Sequence, residues 1–170
     1  RGGYISFGSG VALSHGVDNE GESTGSGLGN GGSLRWGEEV LPQLTLGLAI
    51  PWATADANNE RSSLGFGAFL FEAGWRPFGP SDGLLFIFGT GVGGGQISPK
   101  GDGDSEGNVG GAVYELGVQY EWALGASNAG GFRFSPFVRW FGVPSGPNSG
   151  SDTLITAFVM GLEVTWYGGR

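Results

Sequence analysis

Cysteine is absent from this chain of 170 residues, which excludes a disulfide framework and any thiolate metal site. Long apolar runs are missing too: nothing approaches the ~18 consecutive apolar residues of a transmembrane helix. Lysine occurs once, at Lys100, and histidine once, at His15. Charged residues make up only 14% of the chain, low for a soluble surface. The formal net charge of -8 disfavours nucleic acid as a partner, because phosphate contacts need Lys and Arg. No secretory signal stands at the start, so the chain is expected to be mature or trimmed of flanking segments.

Glycine is abundant instead, at 38 residues, and aromatics reach 13%. Short stretches alternate bulky apolar residues with glycine, serine or charge, and turn formers separate them. The clearest places Tyr114, Leu116, Val118, Tyr120 and Trp122 on one face, with Val113, Glu115, Gly117, Gln119 and Glu121 on the other. That is period two over a strand long enough to cross a bilayer obliquely. Such alternation averages out in a hydropathy scan, which explains a mean hydropathy of only -0.02.

Eight strands follow from this pattern. The first runs from Tyr4 to about Ser14, with Ile5, Phe7, Val11 and Leu13 on the bulky face. A polar loop spans Gly16 to Gly32, and strand two runs from Ser33 to Val40. Leu41-Pro42-Gln43 turns the chain into strand three, where Leu44, Leu46, Leu48, Ile50 and Trp52 alternate with small residues. A second loop holds Asp56, Asn58, Asn59, Glu60 and Arg61. Strand four, Leu64 to Trp75, changes parity between Phe66 and Phe69, which predicts a bulge near Gly67 or Ala68. A turn at Gly79 to Gly83 leads to strand five, Leu84 to Gln96, and a third loop spans Ser98 to Val109. After strand six the chain turns at Gly125 to Gly131. Strand seven contains Pro136, a missing ladder donor that predicts another bulge. The fourth loop is Pro144 to Asp152, and strand eight presents Leu154, Phe158, Met160, Leu162, Val164 and Trp166 on its bulky side. The expected fold is all-β: an eight-stranded antiparallel up-and-down transmembrane β-barrel, one domain over 1–170.

Parity alone does not say which face is inside. The small face carries mostly Gly, Ser, Ala and Thr, a poor solvent surface and a good filling for the narrow bore of eight strands. Trp52, Trp75, Trp122, Trp140 and Trp166, with Tyr4 and Phe132, fall toward strand ends like an interfacial girdle. The bulky face is therefore expected to meet lipid. A soluble barrel is the reading this disfavours. The inner parity then gathers Arg35, Glu39, Glu72, Arg76, Glu115, Glu121, Arg133, Arg139 and Glu163. Buried charges persist only when paired, so these nine are expected to form a lumen network that plugs the barrel.

On these residues the chain resembles the small eight-stranded bacterial outer-membrane β-barrels of the outer-membrane protein A, X and W type. The last strand, Gly161-Leu162-Glu163-Val164-Thr165-Trp166, is similar to the glycine, hydrophobic, aromatic pattern read by the barrel-assembly machinery. Here Tyr167-Gly168-Gly169-Arg170 follow that aromatic. The resemblance implies a multi-pass protein of the Gram-negative outer membrane, with periplasmic termini and four extracellular loops. It implies lipid and lipopolysaccharide as surroundings, and a protein partner at the loops or within a larger envelope assembly.

His15 would serve as a catalytic base only with a hydroxyl and a carboxylate in reach. Ser14 is adjacent, and strand neighbours point to opposite faces, so that pair is no dyad. Gly89 to Gly94 and Gly27 to Gly32 spell GxGxxG but open no helix, so they read as barrel wall and loop. Asp102-Gly103-Asp104-Ser105-Glu106-Gly107 resembles the start of a calcium loop, with Val113 where a bidentate Glu belongs. The segment reads as an acidic solvated loop, and the alternative is a weak divalent-cation (Ca2+) site at the third loop with Asp102, Asp104 and Glu106 as its expected ligands; no other cofactor is expected. The outer loops hold nine acids against two bases, Arg61 and Lys100. The expected function is a non-enzymatic structural or adhesive barrel that binds a partner through acidic loops. A narrow channel for small or hydrophobic solutes and a lipid A-modifying enzyme are the alternatives.

Overall fold

The computed structural model describes residues 2–17, 23–57, 62–79, 83–99, 108–124, 130–143 and 154–169. Among them lie β1 (Gly3–Val17), β2 (Ser23–Leu41), β3 (Leu44–Ala57), β4 (Ser62–Trp75) and β5 (Leu84–Pro99), then β6 (Asn108–Tyr120), β7 (Trp122–Leu124), β8 (Gly131–Val143) and β9 (Leu154–Tyr167). All neighbours are antiparallel, and the order β6-β5-β4-β3-β2-β1-β9-β8-β7 closes on itself through β6–β8. Segments β6 and β7 both pair with β8 in one continuous register, so they form one stave and the barrel has eight.

The register fixes the shape. From Ile5, successive paired residues are Trp36, Leu48, Phe71, Thr90, Tyr114, Gly142 and Thr156, and the circuit returns to β1 at His15. The ring therefore closes with a stagger of ten residues, the shear that tilts its strands by roughly 35–45°.

Side chains sort by parity. Ile5, Phe7, Phe71, Phe88, Met160, Leu162 and Trp166 are exposed on the outer wall, while Ala12, Ala49, Leu70, Ile87 and Val159 are buried in the bore. Trp75 and Trp122 also stand outside. Tyr4 does not join that girdle. Its even position in β1 turns it inward, where its ring lies across Gly37 and Gly47, its successive neighbours in one paired row. A Cβ at Gly47 would collide with the Tyr4 hydroxyl.

Four local expectations give way. The glycine-rich stretch before Ser33 is strand rather than loop: β2 begins at Ser23 and pairs with β1 as far as Val17. Gly and Ser have weak β-propensity, but here the hairpin partner supplies the ladder. Asp56 likewise lies within β3, opposite Ser63. No bulge interrupts β4, whose pairing passes from Ala49–Leu70 to Trp52–Gly67 without gaining a residue. Leu64 and Phe66 keep their parity and point into the bore. Pro136 makes no bulge either, since β8 pairs with β9 in unbroken register through Pro136–Leu162. Its missing N–H instead opens the ladder on the other side, between Gln119–Phe137 and Trp122–Phe134, where β6 ends and β7 begins.

Candidate functional site: the lumen network and the outer rim

The bore has two layers. Phe66, Leu70, Phe137, Phe141, Val143 and Ile155, with alanines between them, form a continuous buried apolar cluster. Phe66 and Phe141 meet with ring centroids 5.5 Å apart. This plug was hidden in the sequence because its members sit among glycines on the parity that otherwise carries small residues.

Below it lies a charged layer. Arg35 of β2 reaches Glu72 of β4 at 2.5 Å and Glu163 of β9 at 3.0 Å. Arg139 of β8 donates to Glu163 and to Ser33 and stands 3.6 Å from Glu115 of β6. Gln119 joins the two arginines: its Oε1 accepts from Arg139 at 3.0 Å and from Arg35 at 3.4 Å. Every member of this layer is buried, and Arg35 and Arg139 are among the largest fully buried side chains.

A second group closes the end that holds the termini. Glu121 accepts from Arg76 and Arg133, each at 2.8 Å, and from the Tyr167 hydroxyl at 2.7 Å. Arg133 lies over the Tyr167 ring, 4.7 Å from its centroid, and Arg76 stands 3.9 Å from Glu39. Gln119 Nε2 donates to Glu121 at 3.4 Å, which links the two groups. The structure thus brings together Arg35, Glu72, Glu115, Arg139 and Glu163 in one cluster, and Glu39, Arg76, Glu121 and Arg133 in the next. Gln119, Tyr167, Ser33 and Thr165, whose hydroxyl donates to Glu163 at 3.3 Å, were missed as members, although their parity was available as a signal.

Glycine makes room for this packing. Glu163 lies opposite Gly8, Glu115 opposite Gly89, and Arg139 opposite Gly117 in the adjacent strand. A Cβ at any of these glycines would stand within 3.1 Å of a lumen side chain. In so narrow a bore, each long polar chain lies across a residue that has none.

At the opposite rim, His15 and Ser26 are directly paired across β1 and β2, and His15 Nδ1 lies 2.8 Å from Ser26 Oγ. Ser14 points the other way and is buried. The hydroxyl partner of His15 went unseen because Ser26 falls in the stretch read as loop. Asp102, Asp104 and Glu106 lie outside the described residues. Among the described residues no three His, Cys, Asp or Glu side chains cluster as metal ligands.

No protein-family model matches this chain, and no curated protein matches it in sequence. Solved structures do. The chain is similar to the attachment invasion locus protein Ail of Yersinia pestis, with a TM-score of 0.65 at 14% identity over 97% of this chain and 99% of that one. Neisserial surface protein A superposes with a TM-score of 0.59 at 12% identity, covering 98% of this chain and 97% of its own. The outer membrane protein OprG from Pseudomonas aeruginosa gives 0.53 at 13% identity, over 98% and 97%. The chain has the fold of the small eight-stranded outer-membrane β-barrels.

Proposed function

We propose that this chain is an integral protein of the bacterial outer membrane whose closed barrel carries acidic extracellular segments to a partner. The observation that carries the reading is the inversion of the two faces. Phe71 is 67% exposed on the outer wall, whereas Arg35 is 2% exposed within it. Water would reverse that distribution, and hydrocarbon outside the ring accounts for it. The similarity to Ail, Neisserial surface protein A and OprG supports the same placement.

The role is structural or adhesive. Arg–Glu pairs crossing the bore and the apolar layer beside them speak against a narrow channel. One of the similar structures is Ail in complex with a heparin analogue, sucrose octasulfate. The acids of the outer segments here favour a cationic partner surface, or divalent cations gathered near lipopolysaccharide phosphates through Asp102, Asp104 and Glu106. Purification with and without detergent, followed by electrophoresis of heated and unheated samples, tests the placement. The expected result is detergent-dependent monodispersity with a heat-modifiable mobility; a stable monomer in plain buffer overturns it. Conductance steps in a planar bilayer would overturn the closed lumen.

A further inference from the structure

The charged layer of the bore does not balance. It sets three carboxylates, Glu72, Glu115 and Glu163, against two guanidiniums, Arg35 and Arg139. The group nearer the termini is even, with Glu39 and Glu121 against Arg76 and Arg133, so it lends no cation. One negative charge is left over in a buried layer, where a lone charge is costly.

The surplus sits at one place. Both arginines converge on Glu163, and Arg35 also takes Glu72 through Oε2. The other oxygen of Glu72 and both oxygens of Glu115 accept no hydrogen bond among the described residues, although both side chains are buried. Arg139 comes nearest, with Nε 3.6 Å from Glu115 Oε1, too far for a hydrogen bond. Its terminal nitrogens are held by Ser33, Gln119 and Glu163. Gly89 separates the two orphaned carboxylates: it pairs with Glu72 on β4 and with Glu115 on β6, all three on the inward parity. The Glu115 carboxylate lies over that glycine, with Oε2 2.8 Å from where a Cβ would stand, and the two acids come within hydrogen-bond range. Leu70 Cδ1 lies 3.4 Å from the same point and bounds the site with hydrocarbon.

We infer that Glu72 and Glu115 bind one small monovalent metal cation, such as sodium, over Gly89 inside the barrel. Carboxylate oxygens without imidazole or thiolate are the donor set of a hard cation. One positive charge neutralises the layer, whereas a divalent ion would only reverse its sign. A proton shared by the two acids supplies the same charge, but it joins two of the three free oxygens and leaves the third orphaned. An ion that bridges both carboxylates takes all three. The charged groups around it are Glu72 of β4, Glu115 of β6, Arg139 of β8, Arg35 of β2 and Glu163 of β9, with Gly89 of β5 beneath. The ion ties β4 to β6 across β5, as Arg35 ties β2 to β4 and β9. It is a structural part of the plug, and the stability of the barrel follows its concentration.

The test uses the full chain folded in detergent micelles and follows its urea unfolding in sodium chloride against choline chloride at equal ionic strength. Both series are run at neutral pH and again in mildly acidic buffer. The folded-to-unfolded ratio is expected to rise with sodium alone, approaching roughly tenfold per tenfold of sodium above saturation, the linkage of one ion. That dependence is lost in Glu115→Gln and in Glu72→Gln and retained in Glu39→Gln. Glu115→Gln keeps the side-chain shape and removes the surplus charge, so its barrel forms without sodium; heat-modifiable mobility verifies this. Should a variant form no barrel, the unsubstituted chain in the two salts still decides. The inference is overturned by a ratio that follows sodium no more than choline, or by sodium dependence that persists in Glu115→Gln. It is overturned equally by a ratio indifferent to sodium that rises on acidification only while Glu115 is present, which assigns the missing charge to a proton.

Discussion

Glu115 stands over Gly89. The two are paired across β6 and β5, and a Cβ built on the glycine would lie 2.8 Å from the Glu115 carboxylate and 3.0 Å from its Cβ. Replacing Gly89 with leucine therefore overfills a bore that has no slack. Gly89→Leu is expected to destabilise the barrel by about 1–3 kcal/mol, read as a lower urea midpoint for the folded, fast-migrating band. An unchanged midpoint would mean that the charged layer is looser than described.

Arg35 holds two carboxylates on strands separated by much of the ring, Glu72 and Glu163. Arg35→Met strips both of their shared cation while preserving much of its volume. Breaking such a buried pair costs about 3–5 kcal/mol, whereas Arg35→Met combined with Glu72→Gln and Glu163→Gln should recover a substantial part. Equilibrium unfolding of the single and triple variants in lipid checks this non-additivity. Simple addition of the losses would argue that these charges act independently.

Met160 is 59% exposed in the middle of β9. At a lipid-facing position near the midplane, Met160→Arg should cost about 2–4 kcal/mol. On a water-facing wall the same substitution would be neutral or would improve solubility. Folding efficiency into vesicles of this variant thus reports on the environment of the outer face, independently of detergent behaviour.

Pro136 leaves a gap in one ladder and none in the other. Pro136→Val supplies the absent N–H opposite Tyr120 and is expected to stabilise the barrel by roughly 0.5–1.5 kcal/mol. Amide hydrogen exchange at Glu121, whose N–H donates to the Gly83 carbonyl at 2.7 Å, should not change, whereas that at Tyr120 and Trp122 should slow at the same time. If exchange there is unaffected, the interruption between β6 and β7 has another origin.

Period two was plain in Tyr114 to Trp122 and in Met160 to Trp166, where each outward residue is large and each inward one small or polar. In those strands composition reports direction without ambiguity. It misleads wherever a large apolar side chain fills the bore, as Phe66, Leu70, Phe137 and Ile155 do. Seen singly, Phe66 resembles any wall residue, and a bulge is needed only when all bulk is assigned to one side. The nine ionic positions could be read from parity, but their partners could not. Pairings such as Arg35 with Glu163 depend on ring closure, which brings first and last strands together across the whole sequence. His15 and Ser26 were separable for a related reason: the hairpin that joins them is built from Gly and Ser, residues whose local preferences argue against a strand.

The circuit from Ile5 returns to β1 ten positions later, at His15, and ten is even. An odd offset would have forced a seam, where a residue facing the interior on one strand met one facing the exterior on the next. Inserting a single amino acid midway along a stave would create that mismatch and turn half of its bore-facing side chains outward, in β2, β4, β6, β8 and β9 with an arginine or glutamate at stake. Insertions of two preserve the alternation and only lengthen the wall. Evolution of this chain is thereby confined to changes in pairs within the staves, while its rim segments can vary one residue at a time.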